Sequence, residues 1–117
     1  VLLKNKDGQF AAPDEDNFKA AAAGAQWDKT FYQVLTEQPG AKTWPISGAT
    51  YILMHKTQDK PQNAVSALKF FDWAYTHGDT MASELDYVPM PDSVKALVRK
   101  QWADNLKDGA GKAIAWK

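Results

Sequence analysis

Apolar side chains recur every three or four positions in two long stretches of the second half of the chain. These stretches span residues 61–77 and 91–106, and such spacing places the apolar side chains on one face of a helix. We therefore predict two amphipathic helices, with Gly78 as the stop signal of the first and a shorter helix over residues 79–85 between them. The second helix is predicted to turn its cations towards water, namely Lys95, Arg99 and Lys100.

The first 25 residues predict a hairpin followed by a helix. Residues 1–4 and 9–11 are short runs on either side of Asp7-Gly8, a pair that favours the positive φ angles of a tight turn. Pro13 and three acidic residues then suit the first turn of a helix, whose positive dipole end attracts negative charge. We expect this helix over residues 13–23.

The strongest strand signal lies in residues 43–55. Within it, Thr50 to Met54 are β-prone and apolar at nearly every position, which is typical of a strand covered on both faces. Such a strand lies in a parallel or mixed sheet flanked by helices, so the predicted fold class is α/β, with helices packed on a mixed sheet. Beyond residue 108 we expect a loose tail with Trp116 as its only anchor.

Size and charge exclude several classes of protein. The chain has 117 residues, no cysteine, and fourteen basic residues balanced by fourteen acidic ones. This length corresponds to one ordinary domain, and the balanced charge offers no basic stripe for nucleic acid. No apolar run is long enough to insert into a membrane.

The residue types that carry chemistry do not form a recognisable site. Neither His55 nor His77 has a second histidine three or four residues away, and residues 109–112 lack the other positions of a phosphate-binding loop. Ser66 and Lys69 match a serine-enzyme spacing without its companion motifs. We therefore predict no catalytic residue, no metal and no cofactor.

The chain begins with Val1 inside an apolar run, without an initiator Met or a signal segment. We interpret this start as that of a piece of a longer protein. A processed mature N-terminus is the alternative.

Several runs of residues together resemble one family. They are similar to the C-terminal third of the periplasmic phosphate-binding proteins that serve high-affinity phosphate ABC transporters, and the most specific run is Leu68 to Tyr75, Leu-Lys-Phe-Phe-Asp-Trp-Ala-Tyr. The matching runs are Thr43-Trp44-Pro45-Ile46, Tyr51 to Lys56, Ala67 to Tyr75, Leu85-Asp86-Tyr87 and Pro91 to Val94.

The resemblance implies a two-lobed periplasmic receptor that closes on inorganic phosphate and delivers it to the membrane permease of the transporter. It also implies that this chain is lobe scaffold, because the family's anion-binding motifs do not occur here. Arg99, the only arginine, is followed by Lys-Gln-Trp and not by the family's Ser-Gly-Thr. No phosphate-binding residue can therefore be assigned in this chain.

The same resemblance divides the chain into two parts. Residues 1–43 would end one lobe with a hairpin, a helix and a loop, and residues 44–117 would supply a crossing strand and the C-terminal helices of the other lobe. Trp44, Pro45 and Ile46 are then hinge candidates, although Pro45 could equally be the ordinary start of a strand. Two other functions stay open: a self-standing α/β interaction module without a small-molecule ligand, and, less favoured, a small hydrolase.

Overall fold

Four helices and four two-residue strands make up the regular structure of the chain, which a computed structural model describes over residues 1–117. The α/β prediction is confirmed, with two small sheets in place of one larger mixed sheet. The elements in chain order are β1 (Leu3–Lys4), β2 (Phe10–Ala11), α1 (Glu15–Ala23), β3 (Thr57–Gln58), α2 (Pro61–His77), α3 (Asp79–Glu84), α4 (Asp92–Asn105) and β4 (Lys107–Asp108).

The N-terminal hairpin and the helix after it form as predicted. β1 pairs antiparallel with β2, and Gly8 takes a φ of 81° in the turn between them. The carboxylate of Asp14 caps α1 by accepting the backbone N–H of Asn17 at 2.9 Å. Because Asp14 is the cap, Pro13 lies before the helix and not in its first turn, where the sequence had placed it.

The three helices of the second half also form as predicted. α2 runs from Pro61 to His77, α3 follows directly, and α4 ends at Asn105. β3 precedes α2 and pairs in parallel with β4, which follows α4. This parallel pair connects the beginning and the end of the helical segment.

The predicted strand over residues 43–55 is wrong. Only one isolated bridge forms in this range, an antiparallel contact between Ile46 and Thr36, and the next strand begins at Thr57. A strand requires a partner for its backbone groups, and the four strands of this chain pair with one another. High β-propensity in Thr50 to Met54 therefore does not produce a strand here.

Two separate hydrophobic clusters stabilise the structure. The first joins α2 to the C-terminal tail, and the second joins α1 and the loop after it to α4. The tail is not loose as expected, because Ile114 is buried beside Trp116 and its N–H donates to the carbonyl of Leu106 at 3.2 Å. The buried residues are Ala64, Leu68, Leu106, Ile114 and Trp116 in the first cluster and Ala22, Trp27, Leu35 and Val94 in the second.

The chain is extended for its size. Its radius of gyration is 16.3 Å, against about 13 Å for a compact domain of this length. Its accessible surface is 7924 Å², against about 6,300 Å² for a folded monomer of this mass. The structure thus exposes on the order of 1,600 Å² more surface than a typical monomer of this mass.

Candidate functional site

The three hinge candidates lie between α1 and an irregular segment. Trp44 is buried, its ring centroid lies 6.1 Å from that of Phe18, and its N–H donates to the carbonyl of Asn17 at 3.1 Å. The hydroxyl of Ser47 donates to the carbonyl of Trp44 at 2.9 Å. Trp44 is therefore fixed to α1.

Pro45 and Ile46 are held less completely. Pro45 is buried, and its carbonyl accepts the N–H of Glu37 at 2.9 Å. The side chain of Ile46 is 64% exposed, although its backbone forms the bridge to Thr36. From Gly48 to Met54 the backbone forms no hydrogen bond. The three candidates thus mark the boundary between a segment held by backbone hydrogen bonds and one held only through side chains, such as the Tyr51 hydroxyl, which bonds to the backbone of Gln33.

Asn5 holds the loop that leads into these residues, and the sequence did not identify it. Its buried side-chain amide donates to the carbonyls of Gly40, Ala41 and Thr43 at 3.2, 2.9 and 3.3 Å. Its side-chain oxygen accepts the N–H of Gln9 at 3.0 Å. In the sequence Asn5 precedes an Asp-Gly pair, which indicates a turn residue. The sequence around Asn5 does not show that its side chain bonds to residues more than thirty positions away.

Lys95 lies at the junction of α2, α3 and α4. Its side chain is 3% exposed, and its ammonium donates to both carboxylate oxygens of Asp79 at 2.7 Å and to the carbonyl of Tyr75 at 3.1 Å. The carboxylate of Asp92 lies 3.7 Å from the same ammonium. The prediction that Lys95 faces water is therefore wrong, because these oxygens replace the solvation that its charge requires.

Arg99 lies one turn further along α4 and is also paired. Its Nε donates to Asp72 at 2.6 Å, and its Nη2 donates to the hydroxyl of Thr76 at 3.1 Å. The ring of Tyr75 lies 5.6 Å from the guanidinium and stacks on the ring of Trp102 at 5.9 Å. Burial raises the pKa of the Tyr75 hydroxyl. The only arginine of the chain is thus bound to a carboxylate of α2.

One face of α2 exposes aromatic rings. Phe70 and Trp73 are 62% and 47% exposed, and their ring centroids lie 6.5 Å apart. Trp73 also stacks on His77 at 5.6 Å. Trp73, whose role the sequence left ambiguous, is therefore a surface residue.

The other sequence candidates do not come together in a site. His55 and His77 are both exposed, and the hydroxyl of Ser66 donates to the carbonyl of Gln62 in its own helix. The carboxylate of Asp108 organises the turn after β4 by accepting two backbone N–H groups at 2.9 Å. No group of three or more His, Cys, Asp or Glu is placed to hold a metal ion, and no helix is long and apolar enough to cross a membrane.

Comparison with known proteins indicates a family for the chain, which the contacts described above do not. The chain is 41% identical over 114 residues to the phosphate-binding protein PstS of Pasteurella multocida, a match that covers 96% of the chain and 33% of that protein. The chain is related to the phosphate-binding protein PstS. The PstS of Haemophilus influenzae is 41% identical over 109 residues, and that of Xylella fastidiosa strain 9a5c is 36% identical over 109 residues. No protein-family model matches the chain.

These matches confirm the family resemblance seen in the sequence. They also show that the chain spans about a third of the length of the PstS relatives, as expected for a C-terminal third.

Proposed function

We propose that this chain is the lobe scaffold of a periplasmic receptor that binds inorganic phosphate and delivers it to the membrane permease of an ABC transporter. The observation that carries this proposal is the similarity of nearly the whole chain to one third of several proteins named phosphate-binding protein. In this proposal the chain performs no chemistry. Its part in the receptor is to complete the lobes that enclose the anion.

The phosphate-binding groups come from the other two thirds of the receptor. A phosphate that gives up its water needs several N–H and O–H donors in fixed positions, because an unpaired buried anion is costly. Two cations of α4 already pair with carboxylates of this chain: Arg99 binds Asp72, and Lys95 binds Asp79. Neither is free to replace the hydration shell of an anion.

We further propose that residues 1–43 finish one lobe, that residues 44–117 complete the other, and that Trp44, Pro45 and Ile46 form the hinge between them. The anchoring of Trp44 on α1, followed within four residues by a backbone without hydrogen bonds, supports this placement. A hinge absorbs φ and ψ changes at a few positions next to fixed elements, and this segment has that arrangement. The contact of α1 with α4 and the hydrogen bonds of Tyr51 with Gln33 and of Ser83 with Glu15 also connect the two parts.

Phosphate titration of a chimaera tests the function. The chimaera joins the first two thirds of the Pasteurella multocida PstS to this chain in place of its last third. We expect calorimetry to show saturable phosphate binding at micromolar concentrations by the chimaera, and binding no tighter than about 1 mM, or −4.1 kcal/mol, by the 117-residue chain alone.

The matched control is the Pasteurella multocida protein cut at the same junction and lacking its last third, which should not close on phosphate. Micromolar binding by the 117-residue chain alone would show that the ligand groups lie within it. A folded chimaera that does not bind phosphate would contradict the scaffold function.

A further inference from the structure

A cleft of about 550 Å³ lies between one face of α4 and the C-terminal tail. Its volume falls within the range of small-molecule sites, about 300–1,000 Å³. On α4 the lining residues are three or four positions apart, so they share one face of the helix. Among the residues that line the cleft are Ala96, Lys100 and Ala103 of α4 and Ile114, Trp116 and Lys117 of the tail. The cleft is therefore large enough to hold a small molecule.

The lining of the cleft is mainly apolar. Ile114 and Trp116 are each 6% exposed and belong to the first hydrophobic cluster, and the ring of Trp116 meets that of Trp102 edge-on at 5.3 Å. Ala96 and Ala103 are exposed and carry short side chains, so they leave open the space that longer side chains would fill. Hydrocarbon that enters this cleft leaves water and contacts mainly apolar atoms, which is favourable.

The charged side chains that line the cleft are all positive. They are Arg99, Lys100 and Lys117, and no acidic side chain lies among them. Arg99 is already bound to a carboxylate of α2, whereas Lys100 pairs with Asp104 on the exposed side of α4 and the Lys117 ammonium lies 5.3 Å from the centroid of the Trp116 ring. An exposed ion pair contributes little free energy, so Lys100 is able to pair with another anion. The two lysines thus favour an anionic group at the solvent side of the cleft.

We propose that this cleft binds a single alkyl chain that carries an anionic head group. The chain lies along Ala96 and Ala103 against Trp116, and the head group stays hydrated beside Lys100 and Lys117. Because the head group keeps its water, the site does not require the fixed donors that a buried phosphate needs. Free fatty acids and membrane lipids share this chemistry, and the experiment below separates them. The inference is independent of phosphate binding.

Decanoate tests this proposal in the 117-residue chain and in the chimaera. We expect NMR titration of both proteins to show saturable shifts of the amides of Ala96, Ala103 and Ala115, with a Kd below about 1 mM. Acetate has the head group alone, and decyltrimethylammonium reverses the charge on a chain of similar length. Each should bind at least about tenfold more weakly than decanoate. Inorganic phosphate should leave these amides unshifted.

Three results would each overturn the proposal. Equal affinities for decanoate and decyltrimethylammonium would show an apolar surface without a preference for anions. Decanoate binding to the 117-residue chain that is lost in the folded chimaera would show that the rest of the receptor covers the cleft. Binding to vesicles of phosphatidylglycerol without binding to decanoate would assign the lysines to a membrane surface. Because phosphate binding is measured in a separate titration, none of these results bears on the proposed function.

Two variants that fill the cleft locate the site. Ala96→Leu and Ala103→Leu place larger side chains in the cleft, and the helix is retained because the helix propensity of leucine is close to that of alanine. We expect each to raise the Kd of decanoate at least about fivefold. The matched control is Ala23→Leu, at an exposed position of α1 outside the cleft, which should not change the Kd. The same Kd in all three variants would place the ligand elsewhere and overturn the proposal.

A double variant, Lys100→Gln with Lys117→Gln, tests the role of charge. We expect it to raise the Kd of decanoate about three- to tenfold, and we expect added salt to weaken decanoate binding to the unmodified chain, because exposed charges are screened. Lys112→Gln is the control, since Lys112 is exposed and does not line the cleft, and it should leave the Kd within about twofold. An unchanged Kd in the double variant would overturn the proposal.

Discussion

Lys95 shows, at the scale of a single residue, what a helical pattern cannot reveal. A helical pattern assigns apolar residues to the buried face and charged residues to the solvent-exposed face. This rule places Lys95 on the solvent-exposed face of α4. In the structure its side chain is buried because Asp79, sixteen residues earlier and in another helix, supplies both carboxylate oxygens. A pairing between helices leaves no signal in the period of either one.

The Lys95 pair predicts a measurable loss of stability in the 117-residue chain. Lys95→Ala removes the ammonium from a site where its side chain is 3% exposed, whereas its partner Asp79 is 52% exposed. Breaking a fully buried pair costs about 3–5 kcal/mol; because Asp79 is half solvated, we expect about 2 kcal/mol here. Urea unfolding followed by tryptophan fluorescence measures this loss.

Lys100→Ala is the matched control, since Lys100 pairs with Asp104 on the exposed side of the same helix. Lys100→Ala should change the free energy of unfolding by no more than about 0.5 kcal/mol. Equal unfolding midpoints for the two variants would contradict a stabilising role for Lys95.

Tyr75 predicts a pH dependence at the alkaline end. Burial favours the neutral phenol and raises the pKa of Tyr75, and the nearby charge of Arg99 opposes this only in part. A pKa that is raised on folding means that the folded state keeps the proton longer. The contribution of the neutral Tyr75 to the free energy of unfolding is therefore complete below the pKa of a free tyrosine, about 10. It is lost as pH rises through the pKa of Tyr75 in the folded state.

Absorbance at alkaline pH should therefore show one of the four tyrosines ionising later than the others. Tyr75→Phe should remove that late step and make the free energy of unfolding less dependent on pH above about 10. A single ionisation step shared by all four tyrosines would show that Tyr75 is solvated.

At the scale of elements, the sequence predicts the helices well and the sheet poorly, for one physical reason. α2 begins at Pro61 and ends at His77 as expected, because its period and its stop signal are local. The strand expected in Thr50 to Met54 has the right residues and no partner, and a strand depends on pairing that the local sequence does not contain. The hinge candidates follow from the family resemblance together with their place between two dissimilar halves and the proline at position 45, and they stay a prediction.

The cap of α1 gives a prediction at this scale. Asp14 accepts the N–H of Asn17, so Asp14→Ala leaves a donor of the first turn unpaired. We expect a loss of about 1 kcal/mol in the free energy of unfolding. Asp16→Ala, which keeps the cap and removes only a charge from the same turn, should cost less than half as much. Equal losses in urea unfolding would mean that charge, and not the cap, stabilises the start of α1.

At the scale of the whole molecule, the segment of Trp44, Pro45 and Ile46 connects the two parts of the chain. The contact of α1 with α4 and the hydrogen bonds of Tyr51 with Gln33 and of Ser83 with Glu15 also join them. Proline fixes φ near −65°, and the Pro45 carbonyl also accepts the N–H of Glu37. If this segment is the hinge, Pro45→Gly in the chimaera should change the balance of open and closed forms while leaving every ligand group in place. Apparent affinity follows the population of the form that closes, so a shift of about 1.4 kcal/mol changes the phosphate Kd about tenfold.

Two measurements on the chimaera check the hinge together: phosphate affinity, and the radius of gyration of the ligand-free form by small-angle scattering. Pro61→Gly is the control, because Pro61 begins α2 and its loss should lower stability without moving the lobes. A hinge predicts that Pro45→Gly changes both the affinity and the radius whereas Pro61→Gly changes neither. If Pro45→Gly lowers thermal stability alone, as Pro61→Gly should, then Pro45 is a packing residue beside Thr36 and Glu37, and the lobes move about another point.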